Sequence, residues 1–102
     1  MRDCQFIAEA ILLAETAGFY PALGQRAVDW ESVAAWAEAV RRPEFVWLAE
    51  QQLSGCGFII VASNRAIASG QHRILAGLVA GKPVPAASIS RLTCPLPVQP
   101  WR

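Results

Sequence analysis

From residue 57 to its end this chain contains no aspartate and no glutamate. All eight carboxylates fall in residues 1–56, beside four arginines, giving a formal charge of −4. Residues 57–102 carry four arginines and one lysine, giving +5, so the net charge of +1 conceals two oppositely charged halves. A half without carboxylates excludes a carboxylate-built Mg2+ site made from its own residues. Metal-assisted chemistry would have to draw Asp29, Glu44 or Glu50 in from the other half. The basic half suits an anionic ligand. Alternatively, the two halves neutralise one another across an internal interface.

Other scarcities set further limits. Charged residues make up 17% of the chain against 54% apolar residues, more hydrophobic than an average soluble domain. Such a balance implies apolar surface covered by a second copy, a partner protein or the rest of a longer parent chain. No run reaches the ~18–20 apolar residues of a membrane span. The longest, residues 6–14, is interrupted by Glu9 and lacks the basic flank and cleavage site of a signal peptide. The three cysteines, Cys4, Cys56 and Cys94, are odd in number and widely spaced. With no CxxC and no Cys/His cluster they do not make a zinc motif, and they read as reduced thiols of a cytosolic protein. Cys56, between two glycines, is either an accessible thiol or a small apolar residue at a strand entry. At 102 residues the chain is one small domain with a modest core.

The residues present divide into three parts. Residues 1–56 predict a helical layer. A first helix spans residues 3–17, with Asp3 as N-cap and Phe6, Ile7, Ala10, Ile11 and Ala14 on one apolar face. Leu12 and Leu13 widen that face enough for packing on two sides or against a partner. Gly18 is a stop signal. Residues 19–28, broken by Pro21 and Gly24, form a connection pinned by Phe19, Tyr20 and Leu23. Arg26 in this loop is either a substrate contact or a solvated arginine. Asp29 caps a second helix whose apolar stripe is Trp30, Val33, Ala34, Ala37 and Val40, closed by Arg41 and Arg42. Pro43 then suits the first position of a third helix over residues 44–53. Trp30, Trp36 and Trp47 read as core or interface packing, with a base-stacking platform as the alternative. Residues 54–57, Ser-Gly-Cys-Gly, make a short joint to the second part.

Residues 57–89 carry the chemistry. An apolar run over 58–62, the polar turn Ser63-Asn64-Arg65 and a second run over 66–69 predict a hairpin. Gly70-Gln71-His72-Arg73 follows at once, and Ile74, Leu75, Leu78 and Val79 recur at helical spacing until Gly81 and Pro83 stop the helix. Residues 84–89 predict a third strand. The helix therefore begins at Gly70, where unpaired backbone N–H groups and the positive end of the helix dipole meet. His72 and Arg73 in the first turn oppose that dipole, an arrangement an anion such as phosphate would reconcile. Without an anion, His72 covers a core and Arg73 is solvated. Residues 90–102, with Pro95, Pro97 and Pro100, predict an extended arm anchored by Leu92, Leu96 and Trp101.

Ser69, Gly70, Gln71, His72, Arg73, Ala76, Gly81, Val84 and Pro85 resemble the turn-and-helix signature of the ParB/sulfiredoxin-like superfamily. The string through Gly70, His72, Arg73, Ala76, Gly77 and Gly81 to Pro83 or Pro85 is most similar to ParB-like C-terminal domains of bacterial polymorphic, Rhs-type toxins. The resemblance covers residues 58–89 and leaves 1–56 outside. It implies an α+β fold, with helices packed on a small mixed sheet. It implies a phosphate-bearing ligand, either a nucleotide (ATP or CTP), with or without Mg2+, or a nucleic acid. Ser69, Gly70, Gln71, His72 and Arg73 would bind it. In a nuclease or nucleotide hydrolase, His72 would act as acid/base and Arg73 would stabilise charge. Gln71 would hold a water. An immunity protein or a larger parent chain would be the partner, and the cytoplasm the site of action after export within the toxin. Gln71 stands where sulfiredoxins have their cysteine, so sulfinic-acid repair is not implied. Ser69 stands where many ParB-like nucleases have aspartate, which favours a nucleotide-binding module as the alternative to an enzyme. A protein-interaction domain with a purely structural turn is the third reading.

Overall fold

The computed structural model describes residues 3–47 and 57–102. Among these residues the architecture is α+β: three helices packed on a four-stranded mixed sheet. Helix α1, Cys4–Thr16, starts where the Asp3 carboxylate accepts the Phe6 N–H at 2.8 Å. Its inward face is narrower than its composition suggests. Ala10 and Ala14 are fully buried, whereas Leu12 and Leu13 face outward at 64% and 42% exposure. Helix α2, Trp30–Val40, is capped by the Asp29 carboxylate, which accepts from the Glu31 and Ser32 amides. It buries Val33, Ala34, Ala37 and Val40.

Beyond α2 the prediction of a helix from residue 44 is not met. Pro43 and Glu44 sit in a turn closed by the Phe45 N–H to the Arg42 carbonyl, and helical geometry begins no earlier than Trp47. Aromatic packing outweighs the proline start signal here. Phe45 meets Trp47 edge-on at 4.9 Å and Trp47 stacks on Trp36 at 6.1 Å. The rest of that predicted helix, and the joint at Ser54, Gly55 and Cys56, lie outside the described residues.

The hairpin forms as its pattern requires. Strands β2, Ile59–Val61, and β3, Ala66–Ser69, pair antiparallel around the Ser63-Asn64 turn. Helix α3, Gln71–Val79, follows after a single residue and packs against both α1 and α2. Two strands differ from expectation. The connection contains a two-residue edge strand β1, Tyr20–Pro21, parallel to β3. Residues 84–89 do not form one strand: Ala86–Ser88 make a 3-10 turn, and the strand is β4, Ile89–Arg91, parallel to β2. Pro83 and Pro85 lack the N–H groups a ladder needs, so pairing starts only beyond them. The sheet order is β1-β3-β2-β4.

The core joins Val33 and Ala37 of α2, Ile59 and Val61 of β2, Ile67 of β3 and Ile74, Leu75 and Ala76 of α3. The C-terminal arm completes it. Trp101 is 7% exposed and its indole N–H reaches the Phe19 carbonyl at 2.9 Å. Leu96 packs on Ala22, Ala62 and Ala66, while Leu92 stays exposed. Asn64 holds the arm at its middle, donating to and accepting from the Leu96 backbone. Among the described residues no helix is long and apolar enough to cross a membrane.

Replacing Trp101 with alanine removes a buried indole and leaves the Phe19 carbonyl without its donor. Urea denaturation should record a loss of about 3–5 kcal/mol, and an unchanged midpoint would show that the arm does not belong to the core.

Candidate functional site

Everything at the site depends on how α3 begins. Gly70, its N-cap, has φ 92 and ψ 24, in the left-handed region. A Cβ there would lie 2.8 Å from Ile59 Cγ1 and 3.1 Å from Cγ2. Glycine is therefore required for two reasons, the backbone conformation and the close approach of the turn to β2. This contact sets α3's first turn down directly at the end of β3.

The next three side chains diverge. Gln71 is only 3% exposed, and its Nε2 donates to the Arg26 carbonyl at 3.0 Å. His72 is half-buried, and its Nε2 accepts the Asp29 backbone N–H at 2.9 Å. Arg73 is 7% exposed, and its guanidinium donates to the Gly57 carbonyl at 2.9 Å. Arg73 is thus no solvated surface residue: it ties α3 to the segment entering β2. Gln71 is turned inward to the Arg26 segment, which separates it from the ligand-binding and water-holding roles expected of it.

His72, Arg73, Ser69 and Gly70 line a half-open cleft of about 250 Å³, together with Arg26 and Trp36. That is just under the ~300 Å³ at which small-molecule sites typically begin. Four of the five expected site residues are therefore brought to one opening. Arg26, which sequence pattern placed ambiguously in a loop, joins them because Gln71 and His72 fasten residues 26 and 29 beside the turn. Trp36 reaches the cleft from α2 while packed on Trp47. No carboxylate lines the cleft among the described residues.

The chemistry of His72 follows from its hydrogen bond. A backbone N–H can only donate, so Nε2 holds a lone pair and the ring proton of the neutral imidazole sits on Nδ1. Burial lowers the His72 pKa below its ordinary 6.5, and the nearby Arg26 charge lowers it further, against an opposing pull from Asp29. The Asp29 carboxyl is also held below its ordinary value, chiefly by the Ser32 hydroxyl at 2.8 Å. That carboxylate is committed to capping α2. Arg41 pairs locally with Glu38 at 3.5 Å on α2. Glu44 does not line it, Glu50 lies outside the described residues, and no three described His, Cys, Asp or Glu side chains gather as a metal site. Cys4 and Cys94 are exposed free thiols, and Cys56 lies outside the described residues.

Comparison with protein-family models, with curated proteins and with solved structures finds no match to this chain.

Two outcomes follow. Gly70→Ala should lower stability by about 3 kcal/mol, from strain and overpacking against Ile59, as read by denaturant titration. His72 has a folded pKa below its unfolded value, so below pH 6.5 the unfolded chain binds a proton that the folded chain resists. Its contribution to stability is present above that pH and lost as pH falls toward the folded value. Melting temperature should therefore fall between pH 7 and 5, and His72→Asn should flatten that slope. An identical slope in the variant would place the titration elsewhere.

Proposed function

We propose that this chain is a ParB-like phosphate-ligand module that takes a nucleotide, ATP or CTP, or a nucleic-acid phosphate at the Ser69–Arg73 turn. The observation that carries this reading is the cleft itself, where Arg26, His72 and Arg73 meet at the N-terminus of α3 with no carboxylate among the described lining residues. Backbone N–H groups at such a terminus are ready donors for phosphate. Neutral His72, with its proton on Nδ1, serves as a donor to the ligand, since its Nε2 lone pair is taken by the Asp29 amide. The chain order β2, β3, α3, β4 accords with the ParB/sulfiredoxin-like resemblance.

A second reading, a toxin-type effector that hydrolyses a nucleotide or nucleic acid, draws support from Asp29, whose charge acts on His72. For His72 to act as a base through Nε2, the Asp29 amide would have to let go on ligand binding, and Mg2+ would need a carboxylate brought to the cleft. In that role an immunity protein or parent chain would cover the outward Leu12 and Leu13.

Calorimetric titration with ATP and CTP, with and without Mg2+, tests the module. Binding should weaken about tenfold, or about 1.4 kcal/mol, in His72→Ala and at least as much in Arg73→Ala. Circular dichroism should accompany the second variant, because Arg73 also holds the Gly57 carbonyl. No heat with either nucleotide or with a single-stranded oligonucleotide would overturn the reading. Turnover of bound ligand, together with host growth arrest relieved by His72→Ala, would replace the module with the hydrolase.

A further inference from the structure

We propose that Arg26 is a third cationic contact for the ligand of this cleft, and that Gln71 is the positioning residue that holds it there. This inference rests on the phosphate-binding reading above.

Arg26 lies in an irregular segment, where an arginine would ordinarily wander. Its backbone does not. The Arg26 carbonyl accepts from Gln71 Nε2, and the Asp29 N–H is fixed on His72. Gln99 of the C-terminal arm donates to the Gln25 carbonyl at 2.7 Å, and the Val28 N–H donates to the Arg102 carbonyl. Residues 25, 26, 28 and 29 are thus each tied to another part of the chain. The Arg26 side chain is the exception. It is exposed, lines the cleft beside His72 and Arg73, and among the described residues has no ion-pair partner. Its charge acts on the imidazole next to it. A fixed backbone that carries an unpaired cation into a basic cleft is the arrangement an anion would stabilise.

Gln71 has no comparable use as packing. It is 3% exposed, yet among the described residues its Oε1 has no hydrogen-bond partner. It borders a cavity of about 50 Å³ with Gln25, Arg26, Val28, Gln99 and Arg102. Burying an incompletely satisfied amide is unfavourable compared with a methionine or leucine of similar size. The bond it does make, to the Arg26 carbonyl, accounts for an amide at this position.

Inorganic pyrophosphate is the probe, titrated calorimetrically into wild type, Arg26→Ala, Arg26→Lys, Gln71→Met and the double variant Arg26→Ala/Gln71→Met. Arg26→Ala should weaken binding about tenfold, as expected for a lost charge-assisted contact, with its melting temperature unchanged. Arg26→Lys should recover part of the loss. Gln71→Met should weaken binding about threefold, and the double variant should bind no more weakly than Arg26→Ala alone, because the glutamine acts through the arginine. By NMR titration, the His72 pKa should rise in Arg26→Ala as the neighbouring charge goes. Wild-type binding with Arg26→Ala unaffected would overturn this inference and leave the phosphate-binding reading standing. Additive losses in the double variant would overturn the positioning role of Gln71. A wild type that binds neither pyrophosphate nor ATP, CTP or the oligonucleotide would remove both readings together, and one that binds nucleotide equally well with and without Arg26 would overturn this inference alone.

Discussion

The first turn of α3 is the joint on which the molecule depends. Gly70 presses its backbone against Ile59, and the three residues after it reach three separate segments: Gln71 to Arg26, His72 to Asp29 and Arg73 to Gly57. Successive helical residues advance by ~100° around the axis, so consecutive side chains fan out and cannot share one target. Each contact ends on the backbone of a distant stretch. Singly, such bonds contribute only about 0.5–1.5 kcal/mol. Together they set where the α2 entry and the β2 entry lie relative to the sheet.

The same joint explains why the cleft is both basic and ordered. Three cationic or potentially cationic side chains are gathered where the helix dipole already disfavours positive charge. The fold tolerates this by sending part of the charge inward: the Arg73 guanidinium bonds the Gly57 carbonyl, and His72 stays neutral by accepting an amide proton. What remains at the opening is a set of donors with no carboxylate among the described lining residues. An anion entering such a cleft would find its donors already in place, which would reduce the ordering cost of binding.

The C-terminal arm extends the joint's reach. Its prolines keep it out of regular structure, yet Gln99, Trp101 and Arg102 hold residues 19–28 from the far side. Residues 19–28 are therefore clamped between α3 and the arm. This gives a two-residue strand, Tyr20–Pro21, enough support to persist at the sheet edge, where a proline is tolerated.

Local pattern alone identified the elements with strong period or strong caps: α1 and α2 behind Asp3 and Asp29, the hairpin around Ser63-Asn64, and α3 starting at Gly70. In each of these the signal lies within a few residues of the structure it dictates, so no distant contact is needed to read it. The concentration of Ser69, Gly70, His72 and Arg73 at one helix terminus was legible for the same reason. Tertiary structure decided the rest. It placed a turn at Pro43 and Glu44, where the sequence pattern starts a helix, beside the packed rings of Phe45 and Trp47. It moved the last strand to Ile89–Arg91 because Pro83 and Pro85 cannot join a ladder that needs their N–H groups. It turned Gln71 and Arg73 inward and brought Arg26 to the cleft through contacts spanning up to 45 residues. Such long-range contacts leave no period in the sequence, because they depend on where two segments meet and not on what either prefers alone.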